Sequence, residues 1–142
     1  MSQRDLIFIA EDNPADVDLL RMALSKHEVH CDLTVFTDGS AALEAIGMAE
    51  LKPDLRPDLF VIDLNLPKVD GMSVLRRIRE SLVFNHAPIM VWTTSDHPKD
   101  QLRSMEFGAD THVTKPGTLM GFLGLGNVIK GMLKKVAVTQ GA

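Results

Sequence analysis

The middle of the chain contains the segment Asp58-Leu59-Phe60-Val61-Ile62-Asp63-Leu64-Asn65-Leu66-Pro67. Residues 58–64 are nearly all apolar, which is typical of a central strand of a parallel sheet that is covered on both faces. The segment brings one carboxylate, that of Asp63, to the end of this strand. Ligands of open parallel sheets bind at the carboxyl ends of the strands, so the segment predicts both a sheet and the position of a site.

Three further apolar runs end in polar residues of the kinds that phosphoryl chemistry uses. Because the carboxyl ends of parallel strands meet at one edge of a sheet, we expect three acids, a hydroxyl and a lysine to converge there. This combination suits a magnesium-assisted phosphoryl transfer onto Asp63. The three runs are residues 6–10, followed by Glu11 and Asp12; residues 89–92, followed by Thr93 and Thr94; and residues 111–114, followed by Lys115 and Pro116.

Strand patterns alternate with helical patterns along the chain. This order predicts an α/β fold in which a doubly wound, five-stranded parallel sheet is covered by five helices. Asn13 is expected to cap the first helix, with Pro14 at its first position and Asp16 favourable in its first turn. The strands are predicted at residues 6–10, 31–36, 58–64, 88–92 and 111–114, and the helices at 14–26, 39–51, 73–82, from a cap at Asp96 to Gly108, and at 119–136.

The apolar faces of two helices lead to more specific expectations. The second helix is expected to bury Ala42, Leu43, Ile46 and Leu51. In the last helix, Leu119, Phe122, Ile129 and Leu133 form a stripe that can face the sheet, and Leu125, Val128 and Met132 widen it. An arc broader than one-sided packing needs predicts a homodimer, or the docking of a partner, through the last strand and the final helix.

Composition limits the classes of protein that remain. The 142 residues fit a single domain over 1–142, with a core at about 5–136 and a short C-terminal tail, and no output domain is expected to follow. A net charge of -4 argues against nucleic acid as the main partner.

The chain has no signal-like start and no apolar run long enough to span a membrane, so a cytoplasmic protein without a membrane partner is expected. Cys31 is the only cysteine, which excludes an internal disulfide and a cysteine-based zinc site.

These residues resemble the response-regulator receiver family in kind and in order. Glu11-Asp12 is similar to the family's acidic pair, Asp63 to its phosphoacceptor, Thr93 to its switch hydroxyl, and Lys115-Pro116 to its lysine and following proline. The spacings of 30 residues from Asp63 to Thr93 and 22 from Thr93 to Lys115 also look like those of the family. The gap from Asp12 to Asp63 is longer than usual, and the excess falls at residues 53–57.

The resemblance implies a flavodoxin-like receiver fold and a stand-alone signalling protein. The protein would accept a phosphoryl group from a sensor histidine kinase onto Asp63 and then change its surface for a partner or pass the phosphate on. The resemblance also implies switch roles for Thr93, Thr94 and His112, since the family commonly has an aromatic residue at the position of His112. The segments 11–20 and 92–95 look most like the single-domain receivers that accompany bacterial phytochrome-type kinases.

The expected metal is Mg²⁺, which prefers oxygen ligands. Asp12, Asp63 and the main-chain carbonyl of Asn65 are its predicted ligands, and Glu11 is predicted to hold a metal-bound water. Without a cation, one acid of this crowded group should titrate at an unusually high pH. Lys115 and Thr93 are expected to contact the phosphoryl oxygens.

Two alternatives remain open from the sequence. A phosphatase or phosphotransferase of the haloacid-dehalogenase type also uses an aspartate nucleophile and magnesium. That class carries an Asp-x-Asp motif after its first strand, whereas this chain has Asp63-Leu64-Asn65 at the third predicted strand. A flavodoxin-like FMN carrier would share the architecture, although Glu11 and Asp12 would repel a flavin phosphate at the first strand.

Overall fold

The computed structural model of the chain describes residues 4–141, and for residues 135–141 it describes the backbone alone. Residues 1–3 and 142 of the predicted domain 1–142 therefore lie outside the described residues. Within residues 4–141, five strands alternate with five helices. The strands are β1 (Asp5–Ala10), β2 (Cys31–Phe36), β3 (Leu59–Ile62), β4 (Ile89–Thr93) and β5 (Thr111–Thr114), and the helices are α1 (Pro14–Lys26), α2 (Gly39–Leu51), α3 (Gly71–Glu80), α4 (Pro98–Glu106) and α5 (Leu119–Gly141).

The five strands form one parallel sheet in the order β2-β1-β3-β4-β5. The predicted fold class, a doubly wound α/β sheet with five helices, is confirmed. The chain reverses its direction of winding between β1 and β3, and the crevice at such a point is where sheets of this type bind ligands. Residues Glu11 and Asp63 follow these two strands directly.

Two apolar layers cover the faces of the sheet. On one face α1 and α5 lie side by side over Ile7, Ile9, Val61 and Trp92. On the other face α2 and α3 cover Phe8, Phe60, Ile62 and Val91. Both faces of β3 and β4 are thus buried, which explains why these two strands are continuously apolar.

Several details of the sequence prediction are wrong, among them the third helix, which spans Gly71–Glu80 instead of 73–82. Asp96 does not cap α4; His97 does, because its Nδ1 accepts from the Lys99 amide and Pro98 occupies the first helical position. Leu51 is 82% exposed and Leu119 is 52% exposed, since both lie at a helix end beyond the cover of the sheet. The last helix also continues to Gly141 instead of ending near residue 136.

Other local predictions are confirmed. Asn13 caps α1 by accepting from the Ala15 amide, with Pro14 at the first helical position. Gly108 follows the end of α4 in the left-handed region, with φ of 106°. Residues 53–57, where the extra length relative to the family falls, contain a short 3-10 turn at Pro53–Leu55.

Among the helices of residues 4–141, none is long and apolar enough to cross a membrane.

Candidate functional site

Backbone hydrogen bonds bring the ends of four strands to one place. The Glu11 amide donates to the Phe36 carbonyl, and the Asp63 amide donates to the Ala10 carbonyl at 3.0 Å. The Lys115 amide donates to the Thr93 carbonyl at 2.7 Å. The side chains at the carboxyl ends of β1, β3, β4 and β5 are therefore held at one edge of the sheet by the hydrogen bonds between its strands.

The Lys115 ammonium lies at the centre of this edge. Its Nζ donates to Asp63 Oδ2 at 2.9 Å and to Asp16 Oδ2 at 2.8 Å, and it lies 2.5 Å from Glu11 Oε1. Burial alone would lower the pKa of Lys115, but its contacts with these three carboxylates raise the pKa above its usual value. The ammonium therefore remains charged at any physiological pH.

Glu11 is the most deeply buried acid of the group. The residue is 1% exposed, and its Oε1 makes no well-aligned hydrogen bond to any described residue despite the short contact with Lys115. Burial raises the pKa of Glu11 to about 7, with the Asp63 charge adding to the rise while Lys115 and the Asn13 amide oppose it. This agrees with the expectation that one acid titrates high when no cation is present.

The acidic cluster is suited to a divalent cation. Glu11, Asp12 and Asp63 each offer a carboxylate oxygen, and these three oxygens lie within 4.8 Å of one another. Hard divalent cations prefer oxygen ligands such as these carboxylates. Of the predicted metal ligands, the structure thus brings all three acids together.

Asn65 joins the acidic cluster to Thr93. Its amide donates to Asp63 Oδ1 at 2.9 Å, and its side-chain Nδ2 donates to Thr93 Oγ1 at 3.2 Å. Thr93 is fully buried, and its Oγ1 also accepts from the Ser95 amide at 3.3 Å. Because the oxygen already accepts two hydrogen bonds, the Thr93 hydroxyl proton is free to be donated.

Thr94 and His112 lie apart from this cluster. Thr94 is exposed, and its side chain makes no hydrogen bond within residues 4–134. His112 is half-buried on β5, where its Nδ1 lies 2.7 Å from the hydroxyl of the buried Ser104 in α4. The Ser104 hydroxyl also lies 3.0 Å from the Gln101 carbonyl oxygen, so it links the His112 ring to the backbone of α4.

Burial lowers the pKa of His112, and the Asp100 charge opposes this only in part. The ring is therefore neutral at pH 7 and ties β5 to α4.

Two residues near Lys115 were missed by sequence reasoning. Asp16 was expected only to favour the start of α1, yet its carboxylate binds the ammonium. The centre of the Trp92 ring lies 4.9 Å from Lys115 Nζ in a cation–π arrangement, although the sequence indicates no role for Trp92 beyond its place in an apolar strand. The position of Trp92 immediately before Thr93 is the signal that could have placed it beside the site.

The chain matches known proteins over most of its length. The family model of the response regulator receiver domain matches residues 7–121. Response regulator Rcp1 of Synechocystis sp. is 33% identical over 115 residues, which cover 80% of this chain and 78% of Rcp1. The chain belongs to the response-regulator receiver family.

Longer relatives and solved structures agree with this assignment. The transcriptional regulatory protein TrcR of Mycobacterium tuberculosis is 35% identical over 113 residues, which cover 80% of this receiver but 40% of TrcR. The phosphorylated cyanobacterial phytochrome response regulator RcpA is 31% identical with a TM-score of 0.78, covering 92% of this receiver and 94% of RcpA. The Mn²⁺-bound form of Rcp1 is 30% identical with a TM-score of 0.75, covering 89% and 92%.

The receiver is thus a signalling module of two-component systems. Neither alternative class is supported. Asp63-Leu64-Asn65 follows the third strand and not the first, and the first strand is followed by Glu11 and Asp12, where a flavin phosphate would have to bind.

Proposed function

We propose that this receiver accepts a phosphoryl group on Asp63 from a sensor histidine kinase. The observation that carries the proposal is the contact of 2.9 Å between Lys115 Nζ and Asp63 Oδ2, made beside the acidic cluster. Asp63 is the one acid of the cluster that both Lys115 and the Asn65 amide contact. A nucleophile held on two sides is positioned for attack, which is most of what phosphoryl transfer requires from a protein.

The transfer is a direct displacement at phosphorus. A carboxylate oxygen of Asp63 forms the new oxygen–phosphorus bond while the nitrogen–phosphorus bond of a phosphohistidine breaks, and the leaving nitrogen keeps the electron pair. Lys115 stabilises phosphoryl oxygens as a point charge. Thr93 donates its free hydroxyl proton to another of these oxygens.

The metal of this site is Mg²⁺ in our proposal. Glu11, Asp12, Asp63 and the main-chain carbonyl of Asn65 would hold it, with Glu11 acting through a bound water. A bound Mg²⁺ ion would neutralise charge on the carboxylates and on the phosphoryl oxygens. With this help the receiver promotes its own phosphorylation and dephosphorylation, and no separate enzyme activity is assigned to it.

The likeness to RcpA supports a phytochrome-type kinase as the donor, because RcpA is a phytochrome response regulator.

We further propose that residues 1–142 act as one receiver domain with its core at about 5–136. Partners, including a second copy, would dock through β5 and α5, where Met120 and Val128 are exposed apolar residues. Thr93, Thr94 and His112 remain the proposed switch residues. Nucleic acid and membrane are not proposed partners.

The Asp63→Asn variant tests the assignment, because it keeps the shape of the side chain and removes the nucleophile. With acetyl phosphate as the donor, we expect wild type to gain a hydroxylamine-labile phosphoryl group in Mg²⁺ and to gain none in EDTA. The variant should gain none in either condition. Intact-mass spectrometry measures the product.

The matched control is Asp18→Asn, which removes an exposed carboxylate from α1 and should be labelled like wild type. Undiminished labelling of Asp63→Asn would show that another residue is the acceptor.

A further inference from the structure

Lys115 is held by one carboxylate that does not belong to the acidic cluster. Asp16, in the first turn of α1, accepts a hydrogen bond from Lys115 Nζ at 2.8 Å. The cluster whose oxygens lie close enough for one metal ion contains Glu11, Asp12 and Asp63 and does not include Asp16. The side chains of Lys115 and Asp16 are 5% and 16% exposed, so the pair is largely shielded from water.

The ordinary role of an acid in a first helical turn does not explain this contact. An acid there is favoured by the helix dipole wherever its side chain points. The start of α1 is also capped already, because Asn13 accepts from the Ala15 amide. Asp18, two residues further along α1, is exposed and makes no ion pair with any described residue. Asp16 therefore differs from its neighbour in the one contact that reaches the site.

The other two partners of Lys115 are shared with the metal site. Glu11 and Asp63 bind Lys115 and also belong to the acidic cluster. A divalent cation there would take up their negative charge, and it would repel the ammonium at the same time. Lysine has a long, flexible side chain, so an ammonium that loses these partners is free to leave the site. The carboxylate outside the cluster keeps its full charge for Lys115.

We propose that Asp16 is a positioning residue that keeps the Lys115 ammonium beside Asp63 while the acidic cluster is occupied by a divalent cation. The proposal rests on the proposed function of Lys115 and Asp63. Asp16 would not touch the phosphoryl group itself. It anchors one N–H of Lys115 and leaves another to point at the position where phosphoryl oxygens arrive.

Trp92 reports on the position of Lys115 without any reaction. It is the only tryptophan of the chain, it is fully buried, and its ring lies 4.9 Å from Lys115 Nζ. Movement of the ammonium changes the charge next to the indole, so tryptophan emission follows it. The Lys115→Met variant supplies the emission of a ring without the ammonium.

The first experiment compares tryptophan emission of wild type, Asp16→Asn, Asp18→Asn and Lys115→Met, each in EDTA and in saturating Mg²⁺. In EDTA we expect Asp16→Asn to match wild type, because Glu11 and Asp63 still hold the ammonium. In Mg²⁺ the Asp16→Asn spectrum should move to that of Lys115→Met, while Asp18→Asn stays with wild type. An Asp16→Asn spectrum that stays with wild type in Mg²⁺ would overturn the proposal. Asp16→Ser also removes the charge and carries the same expectation, should Asp16→Asn fold poorly.

The second experiment measures phosphorylation by acetyl phosphate over a range of Mg²⁺ concentrations. A displaced lysine should lower the maximal rate of Asp16→Asn about tenfold, since small errors of position are costly in transfer reactions. The Mg²⁺ concentration at half the maximal rate should stay near that of wild type. An unchanged maximal rate with a higher Mg²⁺ requirement would instead show that Asp16 only attracts the cation, and would overturn the positioning role. If wild type itself gains no phosphoryl group, the proposed function fails, and the emission experiment alone decides the role of Asp16.

Discussion

Glu11 is the residue of the site whose charged form is least favourable in the absence of a cation. Its carboxylate is buried beside Asp63, and its only cationic neighbour within the described residues, Lys115, is shared with two other acids. A buried charge is expensive unless it is fully paired. The folded protein therefore holds a proton on Glu11 to a higher pH than the unfolded chain does, and a cation at the cluster would favour the charged form.

The raised pKa of Glu11 predicts that the stability of the protein depends on pH. The pKa of Glu11 is raised from 4.5 to about 7 in the folded protein. Below pH 4.5 the group is protonated in both states, and as the pH rises through 7 the folded state must give up a proton that the unfolded state has already lost. The free energy of unfolding of wild type in EDTA should therefore fall by about 3 kcal/mol across this range relative to Glu11→Gln, since one pKa unit corresponds to about 1.4 kcal/mol. Urea denaturation at a series of pH values measures it.

The exposed Glu44 supplies the control for this comparison. Glu44→Gln should give a curve parallel to that of wild type, and Mg²⁺ should abolish the difference between Glu11→Gln and wild type above pH 7. Parallel curves for Glu11→Gln and wild type in EDTA would contradict the raised pKa.

Single residues also show where sequence reasoning stops. Glu11, Asp63, Thr93 and Lys115 were found because each follows an apolar run, which is a local pattern. Asp16 was missed because an acid in a first helical turn already has an explanation, and its contact with Lys115 depends on how α1 crosses the end of the sheet. The cap of α4 was misplaced by one residue at Asp96, although the proline at the first helical position pointed to His97.

Among the described helices, α1 and α5 make the most extensive contact, and Gly126 allows it. A Cβ atom on Gly126 would lie 2.2 Å from the Ala23 carbonyl oxygen and 2.7 Å from His27 Cδ2. Next to this contact, the His27 ring and the Leu123 carbonyl form a hydrogen bond of 3.0 Å between the two helices. The glycine is therefore required by the spacing of the helices, despite its cost to α5.

We predict that Gly126→Ala destabilises the protein by about 1–3 kcal/mol, because backbone atoms must move to make room for the new methyl group. Gly124→Ala is the matched change in the same helix. Its Cβ would meet nothing within 4 Å, so it should stabilise the protein by about 0.5–1 kcal/mol through helix propensity. Chemical denaturation of both variants measures the difference. Equal effects of the two substitutions would show that α5 can move away from α1 freely.

The elements themselves were largely predictable from the sequence. β2 and β5 have the predicted bounds, since strand patterns with clear turn signals are local. β3 is shorter than the apolar run that predicted it, because residues beyond Ile62 leave the ladder to form the site. The apolar arc of α5 was interpreted too broadly: Leu125 is buried and Met132 packs against the core, so most of the arc serves the sheet.

At the scale of the whole molecule, the exposed part of α5 is the surface that remains for a partner. Met120 is 72% exposed and Val128 is 38% exposed. They lie two helical turns apart and therefore share a face. If this face supports self-association, wild type should sediment as a dimer when a beryllofluoride adduct mimics the phosphoryl group, and Met120→Asp plus Val128→Asp should remain a monomer. Analytical ultracentrifugation with and without the adduct measures this.

Leu51→Asp is the control, since Leu51 is an exposed apolar residue on α2 and should not affect the dimer. A wild type that is monomeric in both states, and that binds its kinase no better than the double variant, would leave this face without a role.

The ion pairs of Lys115 join distant parts of the polypeptide: 99 residues separate it from Asp16, and 52 separate it from Asp63. No short segment contains the site, and contacts of such long range form only after large loops have closed. A chain whose last strand has not yet docked therefore has its acceptor carboxylate but lacks the lysine beside it. We therefore expect an incompletely folded chain to be a poor phosphoryl acceptor, because its acceptor carboxylate and its lysine come together only once the last strand has docked.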